Sequence, residues 1–282
     1  MKVTSTKSQS INRLKILIYG AAGVGKTTLA ASLKEKVLIV SAEAGLLSLA
    51  DRDIDTIDLT LDDDGKQIEK ENRTQRLVKV FEYLMTDAAR KKYQWVFIDS
   101  LTEISQNVTE ALAAIYTDPK DARQMWGEYS KKMRSLVKTF RDIPYYNIVF
   151  TALDAIDKDE NNRRHTHPDV QGKIGKSLAG FFDEVFYMYI DADEKRVIRT
   201  GPTDLLQAKD RSGKLELLEV PNLQIIADKI RAPKQKHNGT IKMKVKTNGV
   251  KKAVENYVNK TNGKKDKEVD TSKIDNKQAA TK

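Results

Sequence analysis

The chain of 282 residues has no cysteine. That absence excludes a disulfide frame and a thiolate metal site, and it fits a reducing compartment. Histidine is nearly as scarce, with three in all. His165-Thr166-His167 puts two rings on one side of an extended segment, but with one further histidine and no cysteine no metal centre is expected there. Residues 1–10 carry no apolar core of a secretory signal. No apolar run approaches the roughly 20 residues of a membrane span. The expectation is a soluble cytoplasmic protein with no membrane partner.

Charge is unevenly placed. The net charge is +10, yet residues 232–282 hold 14 Lys against 5 Asp and Glu. That stretch also has few large apolar side chains, so it has little surface to bury against the entropy of ordering. It reads as a mostly disordered basic tail, either a nucleic-acid-attracting or a merely solubilising one. Residues 223–231 read as a closing helix that Pro233 ends. The division expected is a short arm over 1–11, a core over 12–231 and the tail over 232–282.

What the chain does have begins at Gly20-Ala21-Ala22-Gly23-Val24-Gly25-Lys26-Thr27, followed by Thr28. This is G-x-x-x-x-G-K-[ST], the phosphate-binding loop. Residues 14–19 before it read as a buried strand and 27–34 after it as a helix, the context that the chemistry requires. Glycines let backbone N–H groups turn toward phosphate oxygens, and a helix N-terminus adds the positive end of its dipole. Lys26 would reach the β- and γ-phosphates of ATP, and the Thr27 hydroxyl would hold Mg²⁺. Trp95-Val96-Phe97-Ile98-Asp99-Ser100 is an apolar run closed by a carboxylate. Beside a P-loop, Asp99 is the second Mg²⁺ residue.

The remaining runs alternate between strand and helix. Strands are expected at 37–41, 56–59, 93–99, 147–153, 184–190 and 195–200, with one more at 205–209. Helices are expected at 73–91, 101–115 and 122–141. A βαβ series of this kind predicts an α/β fold with a mainly parallel sheet flanked by helices. Asp191-Ala192-Asp193-Glu194 between two strands marks a C-terminal β-hairpin.

P-loops serve many reactions. Thr151-Ala152-Leu153-Asp154 lacks the lysine of a guanine-reading motif, and Asp99-Ser100-Leu101-Thr102 lacks D-x-x-G, so a GTPase is disfavoured. Ala21 stands where partition-type ATPases carry an additional lysine. The positive clue is the strand 37–41, which runs on into Glu43. At the C-terminal edge of a parallel sheet, where ligands bind, Glu43 could orient or deprotonate the attacking water.

As an ordered series these segments resemble the RecA superfamily of P-loop ATPases, over about 12–230. The nearest likeness is to the small RecA-like ATPases encoded with phage recombination and single-strand annealing functions. Gly20 to Thr28 resembles that family's P-loop, 40–45 its strand ending in the catalytic Glu, and 96–100 its Mg²⁺ strand. Residues 147–152 resemble the strand of its γ-phosphate sensor, though Thr151 stands where a polar amide is usual. Gln207-Ala208-Lys209-Asp210-Arg211 resembles the segment that sends basic groups into a neighbour's ATP site. The resemblance implies a homo-oligomer with catalytic roles for Lys26, Glu43, Lys209 and Arg211. It also implies two DNA-contacting loops, here 114–126 with Lys120, Arg123 and Trp126, and 154–180 with Arg163, Arg164, Lys173 and Lys176. The function it implies is Mg²⁺-dependent ATP hydrolysis coupled to single-stranded DNA in phage-type recombination, annealing or replication, alongside other proteins of that machinery. Two alternatives stay open at this point: a small-molecule P-loop kinase whose lid is 154–180, and a nucleotide-switched binding protein with little turnover.

Overall fold

A computed structural model of the protein describes residues 13–43 and 45–233. The expected arm over 1–11, and the basic tail from residue 234 onward, lie outside the described residues. The elements, in chain order, are β1 (Lys15–Tyr19), β2 (Val37–Ser41), β3 (Asp55–Asp58), α1 (Arg73–Leu84), α2 (Asp87–Lys92), β4 (Trp95–Asp99), α3 (Leu101–Ala113) and α4 (Ala122–Arg141). There follow β5 (Asn147–Ala152), β6 (Asp154–Lys158), β7 (Arg164–Pro168), β8 (Glu184–Ile190), β9 (Arg196–Arg199), β10 (Lys209–Asp210), β11 (Leu218–Glu219) and α5 (Leu223–Arg231).

Strands β1, β2, β4 and β5 are short apolar runs with every residue, or all but one, buried. Such a run fits only a strand covered on both faces. The sheet order is β11-β9-β8-β1-β5-β4-β2-β3, with β10 also on β8. From β3 to β8 the pairings are parallel; β9 and β10 run antiparallel to β8, and β11 antiparallel to β9. Successive side chains point to opposite faces. Leu17, Leu38, Val96, Ile98, Ile148 and Phe150 therefore pack on one side with Leu77, Val80 and Leu84 of α1, Ile104 and Val108 of α3, and Met133 and Val137 of α4. Ile16, Ile18, Ile39, Phe97, Val149 and Phe186 pack on the other with Leu29 and with Leu223, Ile226 and Ile230 of α5. The α/β architecture with helices on both faces is the one expected.

Several elements differ from expectation. The segment after the P-loop is a 3-10 helix, Thr27–Ser32. Thr28 and Ser32 hydroxyls donate to the carbonyls of Gly25 and Leu29, three residues back, at 2.7 and 2.6 Å. Hydroxyls bonded in this way compete for the carbonyls of the turn and favour the tighter i→i+3 pattern, seen in Leu33 N donating to Ala30 O. The single helix expected over 73–91 is two, because Thr86 caps α2 by accepting from Ala89 N at 3.3 Å. Of the strand expected over 205–209 only Lys209 lies in a strand, as the first residue of β10, and no strand was expected where β11 lies. The long loop expected over 154–180 contains the antiparallel hairpin β6–β7 and a 3-10 helix, Gly175–Phe181. Asp159 closes its turn by accepting from the Asn161 and Arg163 amides at 2.9 and 2.8 Å, with Asn162 at φ 60°.

Candidate nucleotide site

The P-loop leaves the C-terminal end of β1 and bends sharply over β8. A Cβ on Gly20 would lie 2.0 Å from the Met188 carbonyl oxygen, so only glycine lets the loop pass this close. Gly23 and Gly25 have φ of 74° and 104°. Lys26 is buried, and its ammonium donates to the carbonyls of Gly20 and Ala21 at 2.8 and 2.9 Å. Burial lowers its pKa; Asp99, Asp154 and Glu43 act in the opposite direction.

The parallel register brings the acidic residues alongside. Ser41 at the end of β2 pairs with Asp99 at the end of β4, which sets Glu43 and Ser100 at the same edge. Asp99 is buried. Its Oδ2 accepts from the Thr27 hydroxyl at 2.7 Å and its Oδ1 from the Thr151 hydroxyl. A hydroxyl and a carboxylate held together are hard oxygen donors, and they fit Mg²⁺. Glu43 is exposed, and its Oε1 accepts from Ser100 Oγ at 2.5 Å. Lys26, Thr27, Glu43, Asp99 and Ser100 open on one cleft of about 530 Å³, lined also by Ala22 and Gly25.

The AAA domain family model matches residues 12–212, most of the described residues. The chain belongs to the AAA domain family. It is a P-loop nucleotide-binding domain. Curated proteins offer no match to the chain. Among solved structures, an ATPase from the type III secretion system of pathogenic bacteria is similar at 16% identity and a TM-score of 0.43, over 62% of this chain and 52% of that one. The chain thus spans about half the length of that relative.

Within this AAA domain, Lys209 and Arg211 stand apart from the cleft. β10 pairs with Glu184 and Val185 at the start of β8, level with Ile16 and Leu17 of β1, so it lies at the sheet edge opposite the P-loop. Lys209 Nζ donates to Ala179 O at 2.8 Å, and Arg211 pairs with Asp183 at 2.6 Å. These two residues do not line their own chain's cleft.

The two segments expected to touch DNA meet each other. The Trp126 ring lies 3.5 Å from where a Cβ on Gly172 would be, and stacks edge-on to Tyr129 at 5.4 Å. Arg163 is paired with Asp159 at 2.7 Å and Lys176 with Asp157 at 2.8 Å. No ion pair involves Lys120, Arg123, Arg164 or Lys173 among the described residues.

Ser100 and Arg196 take parts in the site that the sequence did not assign. Ser100 holds Glu43, although a Ser after the strand acid reads equally well as the cap of α3, which it also is. Thr151, at the position expected for the γ-phosphate sensor, donates its hydroxyl to Asp99. Arg196 lines the cleft from β9. The available signal was the hairpin itself: β9 antiparallel to β8 returns its first residue to the P-loop edge.

Proposed function

We propose that the protein is an Mg²⁺-dependent ATPase that binds single-stranded DNA and acts in phage-type recombination, annealing or replication. The observation that carries the hydrolytic part is the convergence of Lys26, Thr27, Asp99 and Glu43 on one cleft. In this reading the P-loop amides and Lys26 bind the phosphates, with Lys26 exchanging its two carbonyl partners for phosphate oxygens. Thr27 and Asp99 hold Mg²⁺, which when bound neutralises phosphate charge. Glu43, aimed by Ser100, takes a proton from the attacking water as the bond from the γ-phosphorus to the bridging oxygen breaks and ADP leaves with that oxygen. A positioned base of this kind is worth about 10²–10⁴ in rate.

The DNA part is supported by the meeting of the two loop segments at Trp126 and Gly172, and by the absence of ion pairs at Lys120, Arg123, Arg164 and Lys173 noted above. Basic groups without a carboxylate partner can neutralise phosphates, and Trp126, 38% exposed, offers a ring for a base. Lys209 and Arg211 fit a role across a subunit interface, because they lie away from their own cleft. The test is ATP hydrolysis by the full chain with and without single-stranded DNA, beside Lys26→Ala. Turnover that DNA stimulates and Lys26→Ala abolishes is expected. Turnover indifferent to DNA would remove the DNA part, and turnover surviving in a folded Lys26→Ala variant would remove the P-loop mechanism.

A further inference from the structure

Arg196 opens β9 opposite Ile190, at the end of β8 where the parallel strands finish. Its Cδ lies 3.5 Å from the position a Cβ would take on Gly25, and Thr28 Oγ1 lies 3.0 Å from the same point. The side chain therefore crosses the P-loop at Gly25 and Thr28, beside the amides that serve the α- and β-phosphates, whereas Lys26 serves the β and γ. Among the described residues nothing holds the guanidinium. Arg76, Arg141, Arg163 and Arg211 each pair with a carboxylate. For Arg196 no ion pair or side-chain hydrogen bond exists among the described residues. A guanidinium keeps its charge at every physiological pH and presents a fork of donors that matches phosphate oxygens.

The geometry points to Arg196 as a phosphate-binding residue of its own chain's nucleotide site, closing on the α- and β-phosphates of a bound nucleotide. This rests on reading the cleft as an ATP site, and it adds a cation that acts within one subunit. A contact to phosphates that ATP and ADP share is made equally in both, and equally before and during the reaction. Its loss should raise KM and leave kcat unchanged.

The experiment is calorimetric titration of the full chain with MgATP and with MgADP, for wild type, Arg196→Ala, Arg196→Lys, Lys195→Ala and Lys26→Ala. Lys195 is the adjacent exposed cation, paired with Asp193 at 3.7 Å and outside the cleft, so it controls for diffuse charge. Arg196→Ala should weaken both nucleotides by about tenfold or more. Arg196→Lys should recover part of the loss, and Lys195→Ala should bind as wild type does. Unchanged binding by Arg196→Ala while Lys26→Ala loses it would overturn the inference and leave the ATP site standing. Equal weakening by Lys195→Ala, or weakening for ATP alone, would also overturn it. A wild-type chain that binds neither nucleotide would remove the ATP reading itself, and this inference with it. Arg196 is exposed, so both of its variants should melt at the wild-type temperature.

Discussion

At the C-terminal edge of β1, Lys26 gives its hydrogens to two backbone carbonyls, and Arg196 has no carboxylate within ion-pair distance among the described residues. At the opposite edge of the same sheet, Arg211 is locked to Asp183 and Lys209 to Ala179 O. Cations at the first edge are free to take a phosphate without surrendering an ion pair. At the second, Lys209 likewise holds only a carbonyl, but Arg211 must give up an ion pair. The obstacle is small for Arg211, because its ion pair is largely exposed and such pairs are worth about 0–1 kcal/mol. The difference separates cations that line the nucleotide cleft from cations that lie away from it.

The largest effect should come from testing that separation directly. Arg211→Ala should bind ATP almost normally yet hydrolyse it about 10³-fold or more slowly when assembled, since a cation supplied in trans meets charge that develops in the transition state. Mixing it with Glu43→Gln should restore turnover, because some interfaces then pair an intact Glu43 with an intact Arg211. Hydrolysis rates of the mixture, with mixed assembly verified by mass, decide the matter. A mixture no faster than its components would mean that the far edge serves no neighbour.

Next in size is Glu43→Gln alone. It should keep ATP affinity and lose about 10²–10⁴ in rate, because the amide keeps the Ser100 hydrogen bond but cannot take a proton. Binding and single-turnover rates measured on the same sample separate the two. A loss below about tenfold would leave Glu43 with a structural role only.

How far these residues could be read in advance depended on how local their signals are. Lys26, Thr27 and Asp99 lie in motifs whose spacing alone carries the chemistry, and helix α4 and strand β8 fall where their apolar pattern places them. Glu43 needed one inference beyond its motif, that β2 is parallel. Arg196 needed two, the β8–β9 register and the path of the P-loop over Met188, and no short window encodes either. The 3-10 turn after the P-loop was missed because side-chain hydroxyls compete with a helical pattern that looks ordinary. The β6–β7 hairpin was hidden by polar residues, since neither of its faces is fully buried.

The smallest effect belongs to the far edge and tests whether it is structural there. Glu184 begins β8, is buried, and accepts from Ser212 N at 3.2 Å, with Asp210 beside it. Burial first, then the Asp210 charge, pushes its pKa up to about 8 from an ordinary 4.5. A carboxyl whose folded pKa is raised holds its proton longer folded than unfolded. Its stabilising contribution is complete below about pH 4.5 and is lost as pH rises toward 8. Lys15 nearby has its pKa lowered to about 8 by burial, and its contribution grows only between about 8 and its ordinary 10.5, so the two do not cancel below 8. Melting temperatures of the full chain across roughly pH 5 to 8 should therefore fall by a few degrees in wild type and fall less in Glu184→Gln. MgATP affinity should be the same in both, because the group lies at the edge away from the cleft. An equal fall in both proteins would show that Glu184 is not the titrating group, and altered affinity would show that the two edges are coupled.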